Sequence, residues 1–446
     1  PELQMDSLLE SYSESVALLT PDAGPGQALV AVVGLGHAGL SSAIALHRAG
    51  VRIVGIETSA SRLEDIRGGR GELLRDLHGR LDEEDFALTD EIAAVSAADA
   101  VLICVPTMVD SQRRPSPEML RHTCASVVRH ARAGQTLVLT STGRVGSTRE
   151  LLVKPLTERG LRAGEDVFVA FSADRVDPGV RDHDQLHTPR VVGAVTETCF
   201  GHASELLSHT CQVVHRVSSP EAAEMVKLYE STFRAVNIAL AFEVADACRS
   251  QGLDPIEVTD GAATKPFGFM AHYPSAGVGG HGVGVDPHYL LQPLRERGCP
   301  ATLAEQALRC IDSRPRRVAM RAHELLQRSG RALRDVRVLV VGASYKPGVA
   351  DSFQTPAVGI ISWLREEGVQ VDFHDPLVSE LRVDGEAMLG VDPDPRRDAS
   401  GFGPEDYDLA ILVAIQPGHD YGWLRRCPEV LDCTYREPAG RRRCWL

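Results

Sequence analysis

Two sets of residues in this 446-residue chain have the type and spacing to do chemistry. The first is a glycine turn, Gly34-Leu35-Gly36-His37-Ala38-Gly39, placed after the apolar run Ala28–Val33 and opening a helical segment from about Gly39 to Arg48. Glycines at that spacing let the chain turn tightly and bring backbone amides against a pyrophosphate, at the positive end of a helix dipole. Glu57 ends the next apolar run, 23 residues after Gly34. That is near the spacing of about 20 at which a carboxylate accepts an adenosine 2′-hydroxyl and would repel a 2′-phosphate. The expected cofactor is therefore NAD rather than NADP. The second set is the lysines. There are only four, Lys154, Lys227, Lys265 and Lys346, in a Lys+Arg total of 47. A chain that uses arginine almost everywhere keeps lysine mainly where a compact, titratable amine is needed.

The elements that must position these residues alternate. Apolar runs at Ala28–Val33, Val51–Ile56, Ala100–Val105, Thr136–Thr140 and Val167–Phe171 are separated mostly by helical segments. That pattern predicts a parallel, doubly wound sheet. Thr107 and Thr142 fall at strand ends, where such a sheet binds its ligands. From Pro220 to Gly252 the periodicity becomes helical, with Ser218 or Ser219 as the cap and Pro220 in the first turn. A helix of about thirty residues would be roughly 45 Å long. Near Asp335 the βαβ logic returns: strand Val336–Val341, turn Gly342-Ala343-Ser344, helix Pro356–Glu366, strand Val369–His374 ending in Asp375-Pro376, and strand Leu409–Val413. The fold class expected is α/β, with two Rossmann-like doubly wound domains joined by a long central helix and a helical domain. The boundaries expected are 1–27 for an N-terminal extension, 28–217 for the NAD-binding domain, 218–330 for the central helical domain and 331–446 for the second Rossmann-like domain. Within the extension, Asp6–Leu19 is read as a short amphipathic helix and PDAGPGQ as a linker.

Composition narrows the partners. Hydrophobic content of 43% and charged content of 24% are those of an ordinary globular chain. A net charge of -14 argues against a general nucleic-acid binder. No apolar run reaches the eighteen or so residues of a membrane span. No charged-then-apolar leader opens the chain, whose first residue is Pro1, so an initiator methionine or longer leader is expected to be missing from it. Ten cysteines without a C-x-x-C pair give neither a zinc site nor a disulfide framework. No metal is expected, and a reducing cytoplasm is.

The stretch Thr264–Leu291, TKPFGFMAHYPSAGVGGHGVGVDPHYLL, resembles the substrate loop of the nucleotide-sugar dehydrogenases, the family of UDP-glucose, UDP-N-acetylmannosamine and GDP-mannose dehydrogenases. The resemblance spans roughly residues 28–440. It implies a catalytic lysine at Lys227, in EAAEMVKLYESTFRAVNIAL, and a partner aspartate at Asp286. A lysine, an aspartate and a water can take the proton of a sugar hydroxyl as hydride leaves to NAD, and the ammonium stabilises the developing alkoxide. Thr107 and Thr142 match positions lining the nicotinamide side, and Arg62 a basic position that accompanies NAD. Arg234 and Asn237 match a subfamily pattern on the lysine helix. Gly279, Gly282, Lys265 and Lys346 match or adjoin positions that contact the nucleotide sugar, UDP- or GDP-linked. The family's central helix implies a homodimer.

Four positions depart from the family. Gly282 stands where the family has its nucleophilic cysteine, Ser231 where it has asparagine, and Asp174, in FSADRVDPG, where it has a water-handling glutamate. Phe353, in VGASYKPGVADSFQTPA, replaces an arginine of a motif in which Lys346 and Asp351 match. Without a thiolate there is no covalent path from aldehyde to acid. The expected reaction is a two-electron oxidation at the C6-equivalent hydroxyl, giving a ketone or aldehyde. A higher-carbon sugar, such as an octose of antibiotic biosynthesis, would suit the smaller side chains. Two alternatives stay open: four-electron oxidation to a uronic acid by a cysteine-free route, and redox-neutral epimerisation with retained NAD.

Overall fold

The computed structural model describes residues 28–70, 85–177, 179, 184–328, 330–393, 403–435 and 443–445. The extension with its expected helix at Asp6–Leu19 lies outside them. The chain divides into two compact units, Pro1–Glu230 with His288–Cys299, and Ser231–Pro287 with Pro300–Leu446.

The first unit is built on an eight-stranded sheet. Its chain runs β1 (Leu29–Val33), α1 (His37–Arg48), β2 (Arg52–Ile56), α2 (Ala60–Arg67), β3 (Phe86–Thr89) and β4 (Ala100–Ile103). A short hairpin, β5 (Met108–Val109) and β6 (Pro115–Ser116), leads to α3 (Glu118–His130), β7 (Thr136–Leu139) and α4 (Lys154–Glu158). Then come β8 (Phe168–Phe171), β9 (Arg190–Ala194), α5 (Glu197–Ser208) and β10 (Val214–Val217). The strand order is β10-β9-β8-β7-β4-β1-β2-β3. Alternate residues of β1 face opposite cores, Val30 and Val32 packing with Leu40 and Leu46 of α1, Ala31 and Val33 with Leu120 and Val127 of α3. The sheet departs from the expected parallel pattern at one step: β9 pairs antiparallel with β8, and β10 pairs parallel with β9. An apolar strand buried on both faces has the same composition in either direction, so the reversal leaves no mark on the sequence.

The long helix α6 spans Pro220–Gln251, 32 residues. Ser219 caps it, its hydroxyl accepting the Ala222 amide at 3.2 Å. After it come α7 (Pro255–Ala263), α8 (Asp286–Glu296) and α9 (Thr302–Gln327). The second unit contains a five-stranded, all-parallel sheet in the order β12-β11-β15-β16-β17. Its strands are β11 (Arg337–Val341), β12 (Gln370–His374), β15 (Leu409–Leu412), β16 (Val430–Asp432) and β17 (Arg443–Trp445), with α10 at Pro356–Glu366 and a separate hairpin of β13 (Glu380–Val383) and β14 (Glu386–Leu389). Val338 and Val340 pack with α9 and α10, Leu339 and Val341 with Tyr407, Tyr421 and Leu424.

Candidate active site

The glycine turn of the first unit shows three distinct uses of a missing side chain. Gly34 has φ +90°, a left-handed conformation that favours glycine. A Cβ on Gly39 would lie 1.8 Å from the Gly34 carbonyl oxygen, so only glycine lets α1 approach β1 this closely. A Cβ on Gly36 would meet nothing within 4 Å. That open space, at the N-terminus of a helix with no acidic residue in its first turn, fits a pyrophosphate. Glu57 and Arg62 clasp the turn from either side. Glu57 accepts the Leu35 amide at 2.9 Å with one oxygen and the Ser59 amide at 3.0 Å with the other, while Arg62 donates Nε–H to the Leu35 carbonyl at 3.0 Å. Each carboxylate oxygen has a second lone pair for a ribose hydroxyl. Thr107 is buried and Thr142 half-buried, just past β4 and β7.

The loop after β8 is fastened to α6 within the same unit. Lys227 donates from Nζ to the Asp174 carbonyl at 3.0 Å. Arg175 binds Glu230 at 2.6 Å and the Pro189 carbonyl at 2.6 Å. The Asp174 carboxylate is turned onto Gln185 at 2.7 Å and onto Arg190 at 3.6 Å. Arg190 is only 1% exposed and also binds Ser172. Gln185 reaches the Ser42 hydroxyl of α1 at 3.2 Å. Arg190 and Gln185 were not singled out by sequence reasoning. The one available signal was a charged residue directly before the apolar run VVGA.

In the second unit, Ser231 and Asp286 come together. The Ser231 hydroxyl donates to Asp286 Oδ2 at 2.7 Å, and both residues are buried. The Asp286 amide in turn donates to the Gly282 carbonyl at 2.8 Å. Gly282 has no left-handed φ, and a Cβ there would touch only Asp286 Oδ2, at 4.0 Å. The backbone therefore admits a side chain at 282, and the chain supplies none. Gly279 and Gly280 differ: their Cβ atoms would strike Gln354 O at 2.6 Å and the Tyr345 ring at 2.6 Å. Phe353 stacks on His281 with centroids 4.1 Å apart and planes at 4°, and His281 Nε2 lies 3.2 Å from Asp351. The Phe353 ring thus braces the glycine loop.

The remaining expected substrate residues are more scattered. Asn237 donates to the Phe233 carbonyl of its own helix at 2.8 Å. Arg234 is exposed. Lys265 is exposed with Nζ 4.9 Å from the Phe267 ring centroid. Lys346 is half-buried just past β11, and its carbonyl accepts the Ser344 hydroxyl at 2.9 Å.

Three family models cover most of the chain. The NAD binding domain of the UDP-glucose/GDP-mannose dehydrogenase family matches residues 28–211, its central domain 221–311 and its UDP binding domain 339–401. The chain belongs to the UDP-glucose/GDP-mannose dehydrogenase family. Protein CapL of Staphylococcus aureus is 30% identical over 373 residues, 81% of this chain and 85% of that protein. The UDP-N-acetyl-D-glucosamine 6-dehydrogenase of Pseudomonas aeruginosa is 30% identical over 78% of this chain and 83% of its own length. The solved UDP-D-ManNAc dehydrogenase of Pyrococcus horikoshii superposes with a TM-score of 0.80 at 25% identity, covering 94% of this chain and 98% of that one. The protein is thus an NAD-dependent nucleotide-sugar dehydrogenase. Among the described residues no helix is long and apolar enough to cross a membrane, and no group of three or more His, Cys, Asp or Glu could hold a metal.

Proposed function

We propose that this dehydrogenase oxidises its nucleotide sugar once, from alcohol to carbonyl, at the C6-equivalent hydroxyl. One observation carries the reading: position 282, where the resemblance places the nucleophile, is a glycine whose backbone would tolerate a Cβ beside buried Asp286. Several of the other described thiols are poor substitutes. Burial pushes the thiols of Cys104, Cys124 and Cys427 up to about 12, leaving them protonated at neutral pH.

In this reading Gly34, Gly36 and Gly39 hold the pyrophosphate of NAD, and Glu57, with Arg62 behind the turn, takes the adenosine ribose. Thr107 and Thr142 line the nicotinamide side. Bound NAD would supply the hydride acceptor for the carbinol carbon. Asp286 takes the hydroxyl proton through water, with Ser231 orienting its carboxylate, and Lys227 stabilises the alkoxide as it forms. Asp174 sets the loop that receives Lys227 and is held by Arg190 rather than free to activate water. Arg234, Asn237, Lys265, Gly279 and Lys346 contribute to nucleotide-sugar recognition. The relatives' UDP-N-acetylhexosamine substrates favour a UDP-linked ligand. The room at Gly282 favours a substituent on the reacting carbon, as in a higher-carbon sugar such as an octose of antibiotic biosynthesis. We further propose the division into an extension at 1–27 and domains at 28–217, 218–330 and 331–446. A homodimer through α6, in the cytoplasm, completes the reading. Met225, Tyr229, Phe233 and Leu240 of that helix are exposed and apolar.

Candidate nucleotide sugars incubated with enzyme and NAD, then reduced with borodeuteride, test the reaction. A carbonyl product takes up one deuterium and returns to an alcohol. A product that resists reduction and carries a carboxylate would contradict the proposal, and a deuterium-free epimer without net NADH would place the enzyme among the epimerases.

A further inference from the structure

Glu224 is 1% exposed and has no part in the chemistry above. It lies in α6, three residues before Lys227. Its Oε2 accepts the Gly146 amide at 2.5 Å, and its Oε1 accepts the Thr148 amide at 2.8 Å and the Thr148 hydroxyl at 2.7 Å. These donors belong to the segment that continues directly from Thr142. The segment is tightly wound: Gly146 has φ +95°, and a Cβ on Gly143 would lie 2.5 Å from the Ser147 hydroxyl. Thr148 itself is 0% exposed. A second tie joins the same elements, Arg149 Nε to Glu221 Oε1 at 2.5 Å. A buried carboxylate is costly unless its hydrogen bonds are fully made, and an apolar contact would join the two segments with less desolvation. What three directed hydrogen bonds add is a fixed distance and orientation. Residues three apart on a helix are neighbours on its surface, so the group that grips the Thr142 segment stands beside the lysine.

We propose that Glu224 is a positioning residue that sets Thr142 in register with Lys227. The inference rests on the reading that these two residues serve the reacting carbon. Glu224→Gln keeps the side chain's size and replaces one acceptor oxygen with an NH2 group. A displacement of about 1 Å at a reacting centre can cost roughly 100-fold in rate. The expected result is a fall in kcat of about 10- to 100-fold, with the NAD dissociation constant from fluorescence titration within about 2-fold of wild type. The cofactor constant holds because the pyrophosphate and ribose contacts proposed for Gly34–Gly39 and Glu57 are untouched, and Thr142 lines only the nicotinamide end. Thr148→Val removes one donor and leaves both amides; it should show the same split with a smaller fall in kcat, and it decides the matter if Glu224→Gln does not fold. Unchanged kcat in both folded variants, or NAD affinity falling in step with kcat, would overturn the proposal. Full activity in Lys227→Ala would instead sink the reading beneath it, whatever Glu224 does.

Discussion

Two glycine-rich segments of this protein can be compared position by position. In Gly34–Gly39 one glycine is required by φ, one by close packing, and Gly36 opens onto empty space. In Gly279–Gly282 two glycines are packed against Gln354 and Tyr345, and Gly282 opens beside Asp286. Each segment therefore has glycines the fold needs and one glycine the fold does not need. A glycine kept where the backbone would accept a side chain points to something outside the protein that fills the space. At Gly36 the proposed occupant is the cofactor. At Gly282 the proposed occupant is part of the substrate.

Substitutions can break this contrast, beginning with the strongest. Gly39→Ala puts a methyl into the Gly34 carbonyl and should destabilise the protein by about 4 kcal/mol or more, or prevent folding; thermal denaturation reads it. Gly36→Val should leave Tm within a few degrees and weaken NAD about 100-fold, roughly 2.7 kcal/mol, by calorimetric titration. If Gly36→Val unfolded the protein instead, the division into needed and unneeded glycines would fail.

The helix following Gly282 gives a pH test. Burial first, then the charges of Arg113 and Arg295, push His288 down to about 4. The folded protein holds this imidazole neutral, whereas the unfolded chain takes up its proton as pH falls below about 6.5. Its stabilising contribution is therefore complete above pH 6.5 and is lost as pH falls toward 4, a loss of about 2 kcal/mol. Denaturant titrations at both ends of that window should show the loss in wild type and not in His288→Phe. Smaller effects are expected at the open glycine itself. Gly282→Ala should leave Tm within about 2 °C yet lower turnover of the natural substrate roughly 10-fold, because the methyl takes up room proposed for the sugar. Ser231→Ala removes a charge-assisted hydrogen bond and should lower kcat by about 10-fold, near 1.5 kcal/mol. An unaltered kcat there would separate Ser231 from the chemistry.

Much of this was legible in the sequence where local constraints act. The glycine turn could be read because main-chain geometry restricts residue type at Gly34 and Gly39. Helix α6 could be read nearly to the residue because Pro220 and Gly252 punctuate it. Strands β9 and β10 were not legible: β9 is a short run behind Arg190, β10 is half polar (Val-His-Arg-Val), neither has a glycine turn of the β1 kind, and their reversal is a matter of pairing rather than composition. Residue roles at the site came mostly from the family's motifs. The partners that give those roles geometry were not legible: Glu224 meets Gly146 and Thr148 across more than seventy residues, and Arg190 and Gln185 meet Asp174 only once the sheet has formed. Phe353 read as the loss of an arginine, and only its stack on His281 gives it a place in the loop.

The central claim is that a chain with Gly282 stops at the carbonyl. Its most direct test is the number of NADH formed, by absorbance at saturating NAD, per molecule of nucleotide sugar consumed to completion. One NADH per sugar, with no carboxylate formed, is the predicted result. Two NADH per sugar, with a uronic acid as product, would contradict it.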